Sequence, residues 1–256
     1  MYEELSVTTD GHVEIITLQR PEARNALTRK TYDELETAVR TTQARCLVIT
    51  GEDPAFCSGD DVKSIMASGD GPAVSHVQAP RLTPAADALL HTDVPVIAAV
   101  NGAAVGWGME LALLADLRVA SERAKFGELF VLRGLVSDVA GLGRLAQLVG
   151  RERAAELLYT GEVIEADQAE RIGLVGRVVA HEELLATSLE LAHRIAANPP
   201  LAVQRLKAGL RLACDPDWPS LGRWVAGSLA DLFATEDHRE GVQAFLEKRE
   251  ANYVGR

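Results

Sequence analysis

The stretch from Val94 to Asp116, VPVIAAVNGAAVGWGMELALLAD, restricts the folds open to this chain more than any other. Val96 to Val100 is a short apolar run of strand length. Asn101-Gly102 marks a turn. Gly106 and Gly108 bring the backbone close to a neighbour, because only glycine lacks a Cβ to hold it off. A helix follows from about Gly108, with Glu110 in its first turn. Strand, glycine turn and helix N-terminus together aim free N–H groups and the positive end of a dipole at one place, which suits an oxygen carrying negative charge. A dinucleotide phosphate would require Gly-x-Gly-x-x-Gly after the strand, and the spacing Gly102, Gly106, Gly108 does not fit it. The alternative is an oxyanion formed during a reaction, which takes two N–H donors from separate loops. A second loop of that kind runs from Pro54 to Val62 after a strand-like run, Cys46 to Thr50, and leads into a short helix, 61–67. As architecture alone, both loops read equally well as tight turns.

Around this pair the chain alternates strand and helix patterns. Leu5 to Thr9 and Val13 to Leu18 flank Asp10-Gly11 as a hairpin. Thr28 is placed to cap a helix carrying Tyr32, Leu35 and Val39 on one face. Residues 68–84 are rich in Gly, Pro, Ala and Ser and read as a loop, with Thr83 and Pro84 opening the next helix. A strand is expected over Leu117–Ala120, a helix over Ala140–Val149, further helices over Arg151–Tyr159 and Glu165–Ile172, and a last strand over Val175–Val179. From about residue 184 only helical periodicity remains: 184–197, 201–213 with Val203, Leu206 and Leu210 on one stripe, 218–233 and 236–251. The chain is an α/β portion, residues 1–190, followed by a helical portion, residues 191–256. Periodicity leaves open whether the first portion is an open sheet or a spiral.

The net charge of −11 speaks against nucleic acid or an anionic membrane as partner, since either calls for a basic face. Three scattered cysteines without a C-x-x-C pair fit a reducing compartment and give no metal site, and the six histidines show no ligand spacing. No secretory segment or bilayer-length apolar run is visible, so a cytoplasmic, water-soluble protein is expected. Hydrolase elbow, zinc-protease and phosphate-loop motifs are missing from the sequence.

Four segments, in order along the chain, carry a resemblance. Arg20-Pro21-Glu22-Ala23-Arg24-Asn25-Ala26-Leu27, Phe56-Cys57-Ser58-Gly59-Asp60-Asp61, Asn101 to Glu110, and Thr235 to Gly241 with Ala244 to Arg249 resemble the signature regions of the enoyl-CoA hydratase/isomerase (crotonase) superfamily. The resemblance implies a spiral of repeated ββα units with a C-terminal helical region that packs subunits into a trimer or a dimer of trimers. It implies an acyl-CoA thioester as substrate, coenzyme A entering as part of that substrate, and no permanently bound cofactor. The backbone N–H groups of Ser58 and Trp107 become the oxyanion donors. Arg24, Ala26, Asp60, Asp61, Val62, Phe245 and Lys248 fall where relatives meet the coenzyme.

Three positions decide what chemistry such a site would perform. Trp107 stands where the family mostly has glycine; it keeps its N–H, is strained if its φ is positive, and offers an indole to wall the acyl pocket or pack in the core. Glu110 matches a family acid/base glutamate, and a carboxylate in a first helical turn is also favoured by the dipole alone. The second family glutamate is expected four residues after Phe126, where this chain has Phe130, a wall for the acyl pocket rather than an acid. Asp138, in Gly134-Leu135-Val136-Ser137-Asp138, resembles the aspartate that faces the acyl chain in family dienoyl-CoA isomerases and is equally suited to cap the following helix. If Glu110 and Asp138 face one pocket, one becomes a proton donor and the other a base. Hydratase, double-bond isomerase and thioester or C–C hydrolase all remain open, as does an acyl-CoA-binding protein without turnover.

Overall fold

The computed structural model describes residues 2–61 and 82–255. β1 (Leu5–Asp10) and β2 (Val13–Leu18) form the opening hairpin. Helix α1 (Arg29–Thr41) starts at Thr28, whose hydroxyl accepts the Thr31 amide while the Thr31 hydroxyl accepts the Thr28 amide.

From there the chain deals its strands alternately to two sheets. β3 (Cys46–Gly51) enters the large sheet and β4 (Ala55–Cys57) the small one. β5 (Val96–Val100) and β6 (Ala103–Val105) repeat the step, as do β7 (Leu117–Ser121) and β8 (Lys125–Gly127). β9 (Val163–Glu165) and β10 (Arg177–Val179) close the two edges. The six-stranded sheet has the order β1-β2-β3-β5-β7-β10 and the four-stranded sheet the order β4-β6-β8-β9. β2, β3, β5, β7 and β10 are parallel, and so are β4, β6 and β8. This is the spiral that periodicity left open.

The large sheet is covered on both faces, which is why its strands read as unbroken apolar runs. Leu47, Ile49, Val96, Ala98 and Val100 face a core shared with α1, α2 (Pro84–His91) and α3 (Trp107–Leu114). As expected, Thr83 caps α2 through the Ala86 amide, with Pro84 as its first residue. All eight residues of α3 are buried. The single helix expected over 140–149 is instead two, α4 (Val139–Gly143) and α5 (Leu145–Val149), joined at Arg144; Gly141 and Gly143 weaken the helix just where it breaks. α6 (Arg151–Thr160) and α7 (Ala166–Arg171) follow. α8 (Leu184–Ala196) covers the other face of the large sheet, setting Leu184, Ala192 and Ala196 against Cys46, Val48, Ile97 and Ala99. Residue 190 falls inside this helix.

α9 (Pro200–Cys214), α10 (Trp218–Phe233) and α11 (Glu236–Glu247) complete the chain, the last ending at Lys248 in a left-handed conformation, short of the expected residue 251. Buried Lys207 ties α9 to the sheet: its Nζ donates to the Val94 carbonyl and pairs with Asp116, each at 2.8 Å. Leu206 and Leu210, on the expected apolar stripe, are exposed, as are Leu201 and Leu212. The helix expected over 61–67 and the loop over 68–84 lie outside the described residues, except for Asp61 and Leu82 to Pro84.

Candidate active site

The small sheet places the site, because loops leave the C-terminal ends of its parallel strands side by side. Ser58 leaves β4, Gly106 and Trp107 leave β6, and Glu128 leaves β8.

The loop after β4 is clamped by the 20–27 segment. Arg24 and Asn25 both take positive φ, 52° and 54°. Buried Asn25 accepts the Arg20 amide at 2.9 Å and donates to the carbonyls of Glu52 and Ala55, each at 2.7 Å. The Leu27 amide donates to Gly59 O at 2.8 Å and the Asp61 amide to Leu27 O at 2.9 Å. Arg20 pairs with Asp61 at 3.1 Å. The same clamp corrects one expectation. The left-handed turn aims the Arg24 carbonyl at the Ser58 amide, which donates to it at 3.1 Å, so the Ser58 N–H is engaged rather than open.

The turn after β6 is built differently. The positive φ falls on Gly106, at 55°, and Trp107 begins α3 with helical geometry and none of the strain considered for it. As the first residue of α3, Trp107 has an N–H without an acceptor in its own helix. A Cβ placed on Gly59 would lie 3.1 Å from that nitrogen, and one on Gly108 would lie 2.0 Å from Cys57 O. The two turns are thus in backbone contact. The Trp107 indole stands edge-on to Tyr32, ring centroids 4.8 Å apart, and its Nε1 donates to Asp138 Oδ2 at 3.0 Å.

A cavity of about 490 Å³ opens beside these turns. Of the residues expected at the site, Arg24, Ala26, Ser58, Asp60, Asp61, Trp107, Phe130 and Phe245 line it. Lys248 is exposed on the left-handed cap of α11 and is not in the lining, and Val62 lies outside the described residues. Arg133, which sequence reasoning did not single out, also lines the cavity and stacks on Phe245 at 4.5 Å. Asp60 accepts the Tyr32 hydroxyl at 2.6 Å. Burial pushes its carboxyl up to about 6, with the Tyr32 hydrogen bond opposing, the Asp138 charge adding and the Arg133 charge opposing.

Glu110 and Asp138 are not in the lining; Glu110 is buried, and half-buried Asp138 contacts the Trp107 indole. Glu110 is 1% exposed and seats its carboxylate on the N-terminus of α4, accepting Ala140 N at 2.8 Å and Gly141 N at 3.0 Å. Burial, then the charges of Glu128 and Asp138, hold this carboxyl well above its ordinary value, and the two amides pull the other way. Asp138 is the N-cap of α4 and accepts the Val139 amide at 2.8 Å through Oδ1, while its Oδ2 holds the Trp107 indole. Phe130 lines the cavity. Phe130 stands where the second family glutamate is expected, and Glu128, two residues earlier, places a further buried carboxyl near Glu110.

Strands dealt alternately to two mainly parallel sheets, with a buried helix N-terminus at a cavity and a glutamate one turn in, define a protein of the crotonase fold. The comparisons agree with that class. The enoyl-CoA hydratase/isomerase family profile matches residues 8–256. A crotonyl-CoA hydratase of Syntrophomonas wolfei is 38% identical over 265 residues, covering 100% of this chain and 99% of its own. A 2,3-dehydroadipyl-CoA hydratase of Escherichia coli is 38% identical over 257 residues, covering 99% of each. The crystal structure of a carnitinyl-CoA hydratase from Mycobacterium avium superposes with a TM-score of 0.82 at 36% identity, covering 100% of both chains. The chain belongs to the enoyl-CoA hydratase/isomerase family, a family of enzymes.

Proposed function

We propose that this protein transforms an enoyl-CoA thioester by stabilising a thioester enolate and moving a proton through Glu110. The observation that carries this reading is the Trp107 amide. It is unclaimed by its own helix, lies in backbone contact with the Gly59 turn at a cavity, and has Glu110 three residues on in the same helix. A thioester oxygen gaining charge takes the Trp107 N–H directly. It takes the Ser58 N–H by displacing the Arg24 carbonyl, a one-for-one exchange of hydrogen bonds.

The coenzyme part lies along Arg24, Ala26, Asp60, Asp61 and Phe245, with Val62 and Lys248 as further contacts. Arg24 is the exposed cation there for the phosphates. Trp107 and Phe130 wall the acyl group. No other cofactor is assigned a role.

A double-bond isomerase is a second reading, favoured by Asp138. Its carboxylate is held by the Trp107 indole N–H and the Val139 amide, ready to act as second proton carrier once the indole moves. The exposed leucines of α9, with Leu212 at 90%, support burial between subunits of a trimer or a dimer of trimers. The acidic net charge and free cysteines support a cytoplasmic protein without a nucleic-acid partner. Among the described residues no helix is long and apolar enough to cross a membrane.

The test is a panel of crotonyl-, longer enoyl- and dienoyl-CoA thioesters with product identification. Turnover that collapses in Glu110→Gln while acyl-CoA binding persists supports the reading. Tight binding of every thioester with turnover of none removes it.

A further inference from the structure

Glu128 is delivered by the third parallel strand of the small sheet: it follows β8 as Ser58 follows β4 and Gly106-Trp107 follow β6. Its side chain is fully buried. The Ser137 hydroxyl donates to Oε2 at 2.9 Å, while Oε1, equally buried, has no hydrogen-bond partner among the described residues. A buried polar atom left unpaired costs stability and asks for a reason.

The reason is next to it. A Cβ on Gly141 would lie 2.7 Å from Glu110 Oε1 and 3.1 Å from Glu128 Cδ, so the two carboxyl groups meet across the bare backbone of Gly141. Two carboxylates that close, away from water, do not both ionise. The hydrogen bonds on each carboxyl decide which one does. Glu110 accepts two amides of α4, which favour its anion, whereas Glu128 accepts one neutral hydroxyl. The hydrogen bonds thus favour the anion on Glu110 and the shared proton on Glu128.

We propose that Glu110 and Glu128 form a one-proton pair in which Glu128 is a positioning residue, keeping Glu110 the ionised partner. The role in turnover rests on the assignment of Glu110 above; the pair itself does not. Glu110 from α3 and Asp138 from the turn before α4 are the charged groups that face Glu128. Burial pushes Glu128 up to about 8, with the Ser137 hydroxyl opposing and the Asp138 charge adding. In a catalytic cycle the Glu110 carboxylate takes a proton from the substrate, leaving both carboxyls neutral, and returns the same proton to another substrate atom. No other reactant is consumed.

The pair is read in the free protein by following glutamate carboxyl ¹³C shifts against pH. The wild type is expected to show a glutamate carboxyl step well above the ordinary carboxylate range. Glu128→Gln, which keeps size and hydrogen bonding, loses that step. Glu110→Gln moves it down by about one pH unit or more, because the like charge is gone. Ser137→Ala, a milder change, moves it up. A step that survives in Glu128→Gln, or stays put in Glu110→Gln, overturns the pair. In turnover, the wild-type rate falls as the second carboxyl ionises beside the developing enolate, and Glu128→Gln lacks that alkaline fall. The expected titrations without turnover of any enoyl-CoA would sustain the pair and defeat the proposed function instead.

Discussion

The turn after β4 and the turn after β6 flank the same cavity and touch through their backbones, yet they are held in opposite ways. The first is tied down by the 20–27 segment, and its Ser58 amide already donates to Arg24 O. The second is set by one glycine and by a helix packed on all sides, and its Trp107 amide is left over by the geometry of a helix start. A helix N-terminus supplies a donor that costs nothing to free, whereas a clamped loop supplies one that must be exchanged. Of the two proposed oxyanion donors, Trp107 is preorganised and Ser58 is conditional.

Substitutions separate the two halves. The largest effect is expected for Glu110→Gln, on the preorganised side: a fall in turnover of about 10²–10⁴, read as kcat with acyl-CoA affinity retained. Gly108→Ala attacks the contact between the halves. Its Cβ would sit 2.0 Å from Cys57 O, and we expect a loss of about 3 kcal/mol in denaturant unfolding, with turnover lost before the fold is. Trp107→Phe keeps the backbone donor and removes the indole bond to Asp138. It should cost about 1–2 kcal/mol of stability and leave most turnover if the amide is what matters. A loss as deep as that of Glu110→Gln would transfer the role from amide to side chain.

Asp60 gives a pH test of the clamped side. Its carboxyl is held near 6 in the fold, above its ordinary value, so the folded state holds the proton more tightly than the unfolded chain. Its contribution is therefore greatest at low pH and is lost as pH rises through about 6. Unfolding midpoints should decline across that window, and less steeply in Asp60→Asn. The smallest change is expected for Arg24→Ala: a weakening of coenzyme binding of about threefold, smaller still at high salt, since Arg24 is exposed.

Much of this was legible in the sequence because burial on both faces of the large sheet writes itself as apolar runs, and Thr28, Thr83 and Pro84 announce their helices. The strands of the small sheet, β4, β6, β8 and β9, were not legible, since three residues are too few for any period to show. Missing them hid the rule that places the site, one group after each parallel strand, and with it Glu128. The resemblance points to position 130, a phenylalanine here, and then to Asp138, while the buried Glu128 directly follows Phe126-Gly127. The engagement of Ser58 could not be read either, because it depends on left-handed conformations at Arg24 and Asn25 that no local pattern specifies for an arginine.

The alternation of strands between sheets has a consequence for how this scaffold changes over time. The short crossings at 51–55, 100–103 and 121–125 are successive corners of one coil, and each hands the cavity a separate wall. Residues beyond one corner can change while the neighbouring corners stay in register. New substrates are then reached one wall at a time, without rebuilding the coil that supports them.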